Sequence, residues 1–214
     1  IGKVRGEELN PTSNALLLKC QELGMQLEFI SRTAYQAQKL TSGLDPQSKT
    51  WFIPEGGANP EGIWGCQQIY QEALIQNNNR HFDAVFIAQG TTTTSLGILA
   101  SLPQTTKLFV VPVLKGFDSR AEMQKLISEA KNNPLTSTLH FPLQQVHFLD
   151  EYHHGGYAKT SKELIDFINF FNQTNQFPIE PTYTGKALYA LSHELPKLQP
   201  SIKNVLFIHT GGVV

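Results

Sequence analysis

Short apolar runs alternate along this chain with segments whose apolar positions recur every three or four residues. The first residues, IGKVRGEELNPTSN, read as a strand running into a loop. TSNALLLKCQELG (12–24) predicts a helix, with Thr12 or Ser13 as its cap and Gly24 as its stop. QLEFI (26–30) predicts a strand, and TWFIPEGG (50–57) another, broken by Pro54 and the Gly56-Gly57 pair. A helix over 61–76, a buried strand over 83–90 and a helix from Thr93 to Ser101 follow. The same reading gives a strand at 107–114, a helix at 119–131 capped by Ser119, and a strand at 144–150. Helices at 161–173 and 185–195 and a strand at 204–212 complete the pattern. Apolar strands alternating with amphipathic helices predict an α/β fold, a parallel sheet covered on both faces. QAQKLTSGLDPQSK (36–49) is the best candidate for a loop or linker.

Composition narrows the class. The 17 basic and 18 acidic residues leave no broad basic field, so neither nucleic acid nor a membrane surface is expected as a partner. Two cysteines, Cys20 and Cys66, are too few for a disulfide framework and predict reduced thiols in the cytoplasm. No apolar run approaches the ~20 residues of a membrane span. The chain begins without an initiator Met and stops just after a strand and a Gly-Gly turn, which suggests part of a longer polypeptide.

The stretch FIAQGTTTTSLGIL (86–99) carries the chemistry. An apolar strand ends at Gly90, four threonines and Ser95 follow, and a helix begins behind them. In open parallel sheets, ligands sit beyond the carboxyl ends of the strands. There Gly90 lets the chain turn, and the amides and hydroxyls of Thr91, Thr92, Thr93 and Thr94 are suited to an anion. The chain has no GxxxxGK[ST] and no GxGxxG, so neither a nucleoside triphosphate nor a dinucleotide is supported. A site without lysine suits a cofactor with one phosphate group. A threonine-rich cap with no ligand remains an open alternative at this point.

Four further segments join the threonine loop. They are 4–35, FIPEGGANPEGIWGC (52–66), EYHHGGYAK (151–159) with EPTYTGKA (180–187), and FIHTGG (207–212). In that order they resemble the pyridoxal-phosphate family of 1-aminocyclopropane-1-carboxylate deaminase and D-cysteine desulfhydrase. The resemblance implies pyridoxal 5'-phosphate as cofactor and the tryptophan-synthase-β type of fold, called fold type II. It implies that 1–65 is the remnant of a smaller α/β domain and 66–214 a larger cofactor-binding one, with the active cleft between them. Gly90 to Thr94 match the phosphate-cradling loop, with Thr92 where the family usually has a second glycine. Thr184 falls where the family faces the pyridine nitrogen. Tyr157 and Tyr183 match two tyrosines near the substrate, and PEGGANPEG a loop that helps enclose the site.

Thr184 and Thr210 look like the desulfhydrase side of the family, whose members carry small hydroxyl residues at both positions; the ring-opening deaminases carry Glu and Leu. The implied reaction is β-elimination from D-cysteine, giving pyruvate, ammonia and sulfide. A small amino acid is the implied substrate, and a homodimer the implied assembly. The family's Schiff-base lysine lies ahead of the matched part, so the 214 residues are expected to lack normal turnover alone. Lys159 and Lys186 read as solvated helix-end residues.

Other candidates carry less. His153 and His154, beside Asp150 and Glu151, point apart on most backbones, so no metal is expected. His209 reads as a packed, hydrogen-bonded residue, Cys20 and Cys66 as buried small hydrophobes, and Phe167, Phe170 and Phe171 as core. Ser95 lacks the G-x-S-x-G setting of a hydrolase. The runner-up is a non-catalytic protein of the same fold that binds a phosphorylated small molecule or a partner.

Overall fold

The computed structural model describes residues 1–38, 43–45 and 50–212. Ile1–Glu55 and Gly56–Val213 form two compact units. In the first, strands β1 (Gly2–Arg5) and β2 (Leu27–Ile30) pair in parallel, Gly2 opposite Leu27 and Arg5 opposite Ile30. Helix α1 (Ala15–Glu22) connects them. Its cap is Asn14, whose side chain accepts from Leu17 N, while Asn10 caps the 3-10 turn Pro11–Ser13. Thr12 and Ser13 therefore precede the helix instead of starting it. Helix α2 (Arg32–Gln38) follows, with the Arg5 guanidinium over the Tyr35 ring. Much of the stretch read as a linker lies outside the described residues. Within it, strand β3 (Gly43–Asp45) pairs antiparallel with β4 (Thr50–Phe52).

The second unit is built on four parallel strands in the order β7-β6-β5-β8. They are β5 (Ala84–Gln89), β6 (Lys107–Pro112), β7 (Val146–Phe148) and β8 (Val205–Ile208). All six residues of β5 are buried, as befits a central parallel strand covered on both faces. Alternation sorts its side chains. Val85 and Ile87 pack with α3 (Pro60–Gln76), α4 (Thr93–Leu99) and α5 (Ser119–Lys131). Ala84, Phe86 and Ala88 pack with α7 (Thr184–Leu198). Phe86 stacks on Phe109 of β6 with centroids 4.4 Å apart. Helix α6 (Lys162–Thr174) lies against α7 through Leu164 and Ile168.

The helices begin where their first amides find acceptors. Asn59 accepts from Gly62 N at 2.8 Å and opens α3 ahead of Pro60. Asp118, not Ser119, caps α5; Ser119 is buried in the first turn. Helices α3 and α4 meet at glycines. A β-carbon on Gly97 would stand 2.4 Å from Cys66 Cβ, and one on Gly62 2.9 Å from Thr93 Cγ2. The predicted strand at 144–150 is shorter, because Leu143–Gln145 forms a 3-10 turn before β7. Phe167 and Phe171 pack as expected, but Phe170 is exposed.

Candidate functional site

Beyond the carboxyl end of β5 lies a cavity of about 290 Å³. Gly56, Ala88, Gln89, Gly90, the four threonines and Ser95 line it, with Tyr183 and Thr210. The segment that leads from strand to helix turns at Thr92, which sits in the left-handed region at φ 66°, ψ −14°. Gly90 is not in that region, so the sharp turn expected there belongs to Thr92. Gly90 serves through its small size: a β-carbon there would reach Tyr183 Cε1 at 3.4 Å. A β-branched residue with positive φ is a costly choice that needs support from its surroundings.

Donors collect around this cavity. Among the described residues, nothing accepts from the amides of Thr91, Thr92, Thr93, Thr94 or Ser95. The Thr92 hydroxyl is buried and has no partner, and neither has Gln89 Nε2. A buried donor left unpaired costs about 1–3 kcal/mol, which a ligand oxygen can recover. The other hydroxyls are engaged. Thr91 Oγ1 donates to Gly56 O at 3.3 Å, Thr93 Oγ1 to Thr91 O at 3.5 Å, and the Thr94 side chain bonds the Cys66 thiol. Ser95 Oγ donates to Thr92 O at 2.9 Å and lies 3.1 Å from Gln89 Oε1. The threonine row is thus mostly scaffold; the free donors are backbone amides, one hydroxyl and one carboxamide. No lysine or arginine lines the cavity among the described residues. Such a neutral, donor-rich set fits a single phosphate group.

Tyr183 stands at the start of α7, and the Tyr157 ring meets it edge to face, centroids 6.0 Å apart. Tyr183 lines the cavity; Tyr157 sits behind that contact and is 56% exposed. Thr210 lines the cavity just beyond β8. Thr184 does not. It is fully buried, and its hydroxyl accepts from Glu180 N at 2.9 Å. Glu180 in turn accepts from the amides that lead into α7, from Thr182 at 2.5 Å, Tyr183 at 2.6 Å and Thr184 at 2.8 Å. That carboxylate satisfies the helix start and fixes the backbone of Tyr183.

Lys159 is exposed, but Lys186 is not a solvated residue. It has no exposed surface, and Nζ donates to Gly156 O at 2.7 Å. Burial pulls its pKa down from the ordinary lysine value, with the Glu180 charge opposing. The two adjacent histidines diverge: His153 Nδ1 accepts from Gly155 N, and His154 Nδ1 pairs with Ser161 Oγ. Among the described residues no cluster of three or more His, Cys, Asp or Glu side chains could hold a metal. His209 accepts from Gly211 N on Nδ1, so Nε2–H donates to Pro178 O at 2.9 Å; the ring is bonded but exposed. Cys20 and Cys66 are half-buried, and burial pushes the Cys66 thiol pKa up, against the Thr94 bond. Gln89 and Glu180 escaped the sequence reading. A polar residue closing a wholly apolar strand was the available signal for the first; the second had none.

Comparison with known proteins points the same way. The family described as "Pyridoxal-phosphate dependent enzyme" matches residues 10–211. A protein of Pyrococcus furiosus named a putative 1-aminocyclopropane-1-carboxylate deaminase is 29% identical over 184 residues, covering 83% of this chain and 54% of its own length. A D-cysteine desulfhydrase of Yersinia pestis is 28% identical over 206 residues, 93% of this chain and 62% of the relative. The crystal structure of an ACC deaminase homologue superposes with a TM-score of 0.72 at 23% identity, over 99% of this chain and 65% of that one. A fungal L-serine ammonia-lyase from Rhizomucor miehei gives 0.61 at 19% identity, over 99% and 69%. The chain spans a little over half the length of the relatives it matches by sequence, and the two structures share its α/β fold.

Proposed function

Since this chain belongs to the pyridoxal-phosphate dependent enzymes, we propose that its cavity receives the cofactor's phosphate and that the whole protein is a lyase or deaminase of a small amino acid. The observation that carries this reading is the group of donors without acceptors. The amides of Thr91 to Ser95 and the buried Thr92 hydroxyl face no protein partner. The residues fit the group: neutral donors around a cavity that Gly90 helps to line, with the chain turning at a left-handed Thr92. When bound, pyridoxal phosphate supplies an electron sink that acidifies the α-hydrogen of an amino acid.

The chain's own residues then have separate tasks. Thr91 to Ser95 bind phosphate oxygens through their amides, Thr92 adds its hydroxyl, and Gln89 Nε2 is a further donor. Tyr183 presents its ring to the cavity, and we assign its phenol, with that of Tyr157 behind it, to holding or moving a proton beside the substrate. Thr210 offers a hydroxyl to a polar substituent of the substrate. Thr184, with its hydroxyl committed to Glu180, takes no part in this assignment.

We favour β-elimination from D-cysteine, releasing pyruvate, ammonia and sulfide, because a hydroxyl at Thr210 suits a polar substrate better than a strained hydrocarbon ring. Ring opening of 1-aminocyclopropane-1-carboxylate is the alternative within the same site. The intact protein, supplied with pyridoxal phosphate, is expected to release sulfide from D-cysteine. Keto acid from the cyclopropane substrate without sulfide from D-cysteine favours the deaminase. Cofactor binding without turnover of either supports a non-catalytic binder. Light scattering of the same material tests the homodimer.

A further inference from the structure

We infer that Lys186 is a positioning residue for the tyrosine pair: its ammonium clamps the Gly156 carbonyl and thereby sets Tyr157 against Tyr183. This rests on the reading of both tyrosines as groups beside the substrate. Tyr157 is 56% exposed, and its ring meets Tyr183 edge to face. A further restraint comes through the backbone. Gly156 O and the Tyr157 amide belong to one planar peptide unit, so a hydrogen bond to that oxygen carries to the Tyr157 Cα. The donor is Lys186 Nζ at 2.7 Å. Tyr183 opens α7 and Lys186 lies in its first turn, so one helix supplies one tyrosine and the hold on the other. Gly156 also packs on Lys115, three residues past the end of β6: a β-carbon on Gly156 would stand 3.0 Å from Lys115 Cβ.

The lysine is an expensive way to fill this space. It has no exposed surface, and Gly156 O is its hydrogen-bond acceptor among the described residues. The Glu180 carboxylate and the His154 ring are its titratable neighbours. A methionine would occupy similar volume without a buried charge. The ammonium is accounted for if the position of the Gly156–Tyr157 peptide is what the site requires.

The test uses the intact protein with ring-labelled tyrosine. The wild type is expected to show a nuclear Overhauser cross-peak between the Tyr157 and Tyr183 rings. Lys186→Met, which keeps bulk and removes the donor, is expected to lose that cross-peak while its cofactor affinity stays within about threefold. Lys186→Arg, which restores a cation, is expected to recover it. Loaded with cofactor and given D-cysteine, Lys186→Met is expected to lose about 10- to 100-fold in kcat with KM nearly unchanged. A folded Lys186→Met that keeps the cross-peak overturns the inference. So does a failure of both variants to fold, which would make the lysine a stability element only. If the wild type leaves D-cysteine untouched, the substrate reading falls, and the cross-peak still decides the clamp.

Discussion

Gly56 and Thr91 are packed so closely that a β-carbon on the glycine would stand 2.2 Å from Thr91 Oγ1 and 2.6 Å from its Cγ2. Thr91 also donates to the Gly56 carbonyl at 3.3 Å. The loop that the resemblance assigned to enclosing the site is therefore bolted to the first threonine of the cradle. Gly56 has φ +66°, so a side chain there is strained as well as crowded. Gly56→Ala is expected to push Thr91 aside, to weaken pyridoxal phosphate binding at least about tenfold and to destabilise the fold by about 1–3 kcal/mol. Titration of the cofactor's visible absorbance and a urea melt measure both; an unchanged affinity would show that Thr91 does not hold the phosphate.

Thr92 gives a prediction of opposite sign for stability. Its left-handed conformation and unpaired buried hydroxyl both cost free energy in the ligand-free protein. Thr92→Gly removes both costs, against a larger loss of chain entropy on folding. The ligand-free variant is expected to be more stable by up to about 1 kcal/mol and to bind cofactor more weakly. Equal binding by the two proteins would mean that the hydroxyl is not a phosphate ligand.

Glu180 accepts from three successive amides at the start of α7. Glu180→Ala leaves them with water or nothing, at an expected cost of about 2 kcal/mol. Because Tyr183 N is one of the three, hydrogen exchange at that amide is expected to speed up more than exchange in the middle of α7. Uniform acceleration along the helix would count against a local role.

Asp83 supplies the pH dependence. Its carboxylate accepts from Asn204 N at 2.9 Å and Lys203 N at 2.8 Å, tying the start of β5 to the entry of β8. Those two amides, Asn204 first, hold its pKa below the ordinary 3.8, with slight burial opposing and the Lys203 charge assisting. A depressed folded value gives stability that is present above the unfolded value and is lost as pH falls through the folded one. Asp83→Asn is therefore expected to melt lower than the wild type at pH 7, with the difference shrinking as both approach pH 3. A difference that stays constant with pH would assign the effect to shape, not charge.

The sheet was legible because its strands are. Ala84–Ala88 is buried on both faces and so reads as an unbroken apolar run, and α6 and α7 carry their period openly. Starts and ends were less so. DSR at 118–120 offers two capping residues, and only backbone geometry chooses Asp118 over Ser119. Gln145 was placed in a strand, yet its side chain bonds the carbonyls of Pro103 and Thr106, which a three-residue 3-10 turn permits. At the site, the threonine run pointed to the cavity, but which hydroxyls remain free depends on distant partners such as Gly56 and Cys66. Lys186 was misread for the same reason: its acceptor, Gly156, lies on a loop 30 residues earlier in the chain. Thr184 was assigned by resemblance, and the neighbour that occupies its hydroxyl became visible only in three dimensions.

The bare glycine faces between α3 and α4 leave no slack at Gly62 and Gly97. The short helix behind the threonines is pressed against a longer one, which restrains it. A receptor moulded in advance loses little entropy when its guest arrives. Association with a phosphate-bearing ligand should then proceed in a single kinetic phase, its rate rising linearly with ligand concentration and showing no plateau from a slow rearrangement.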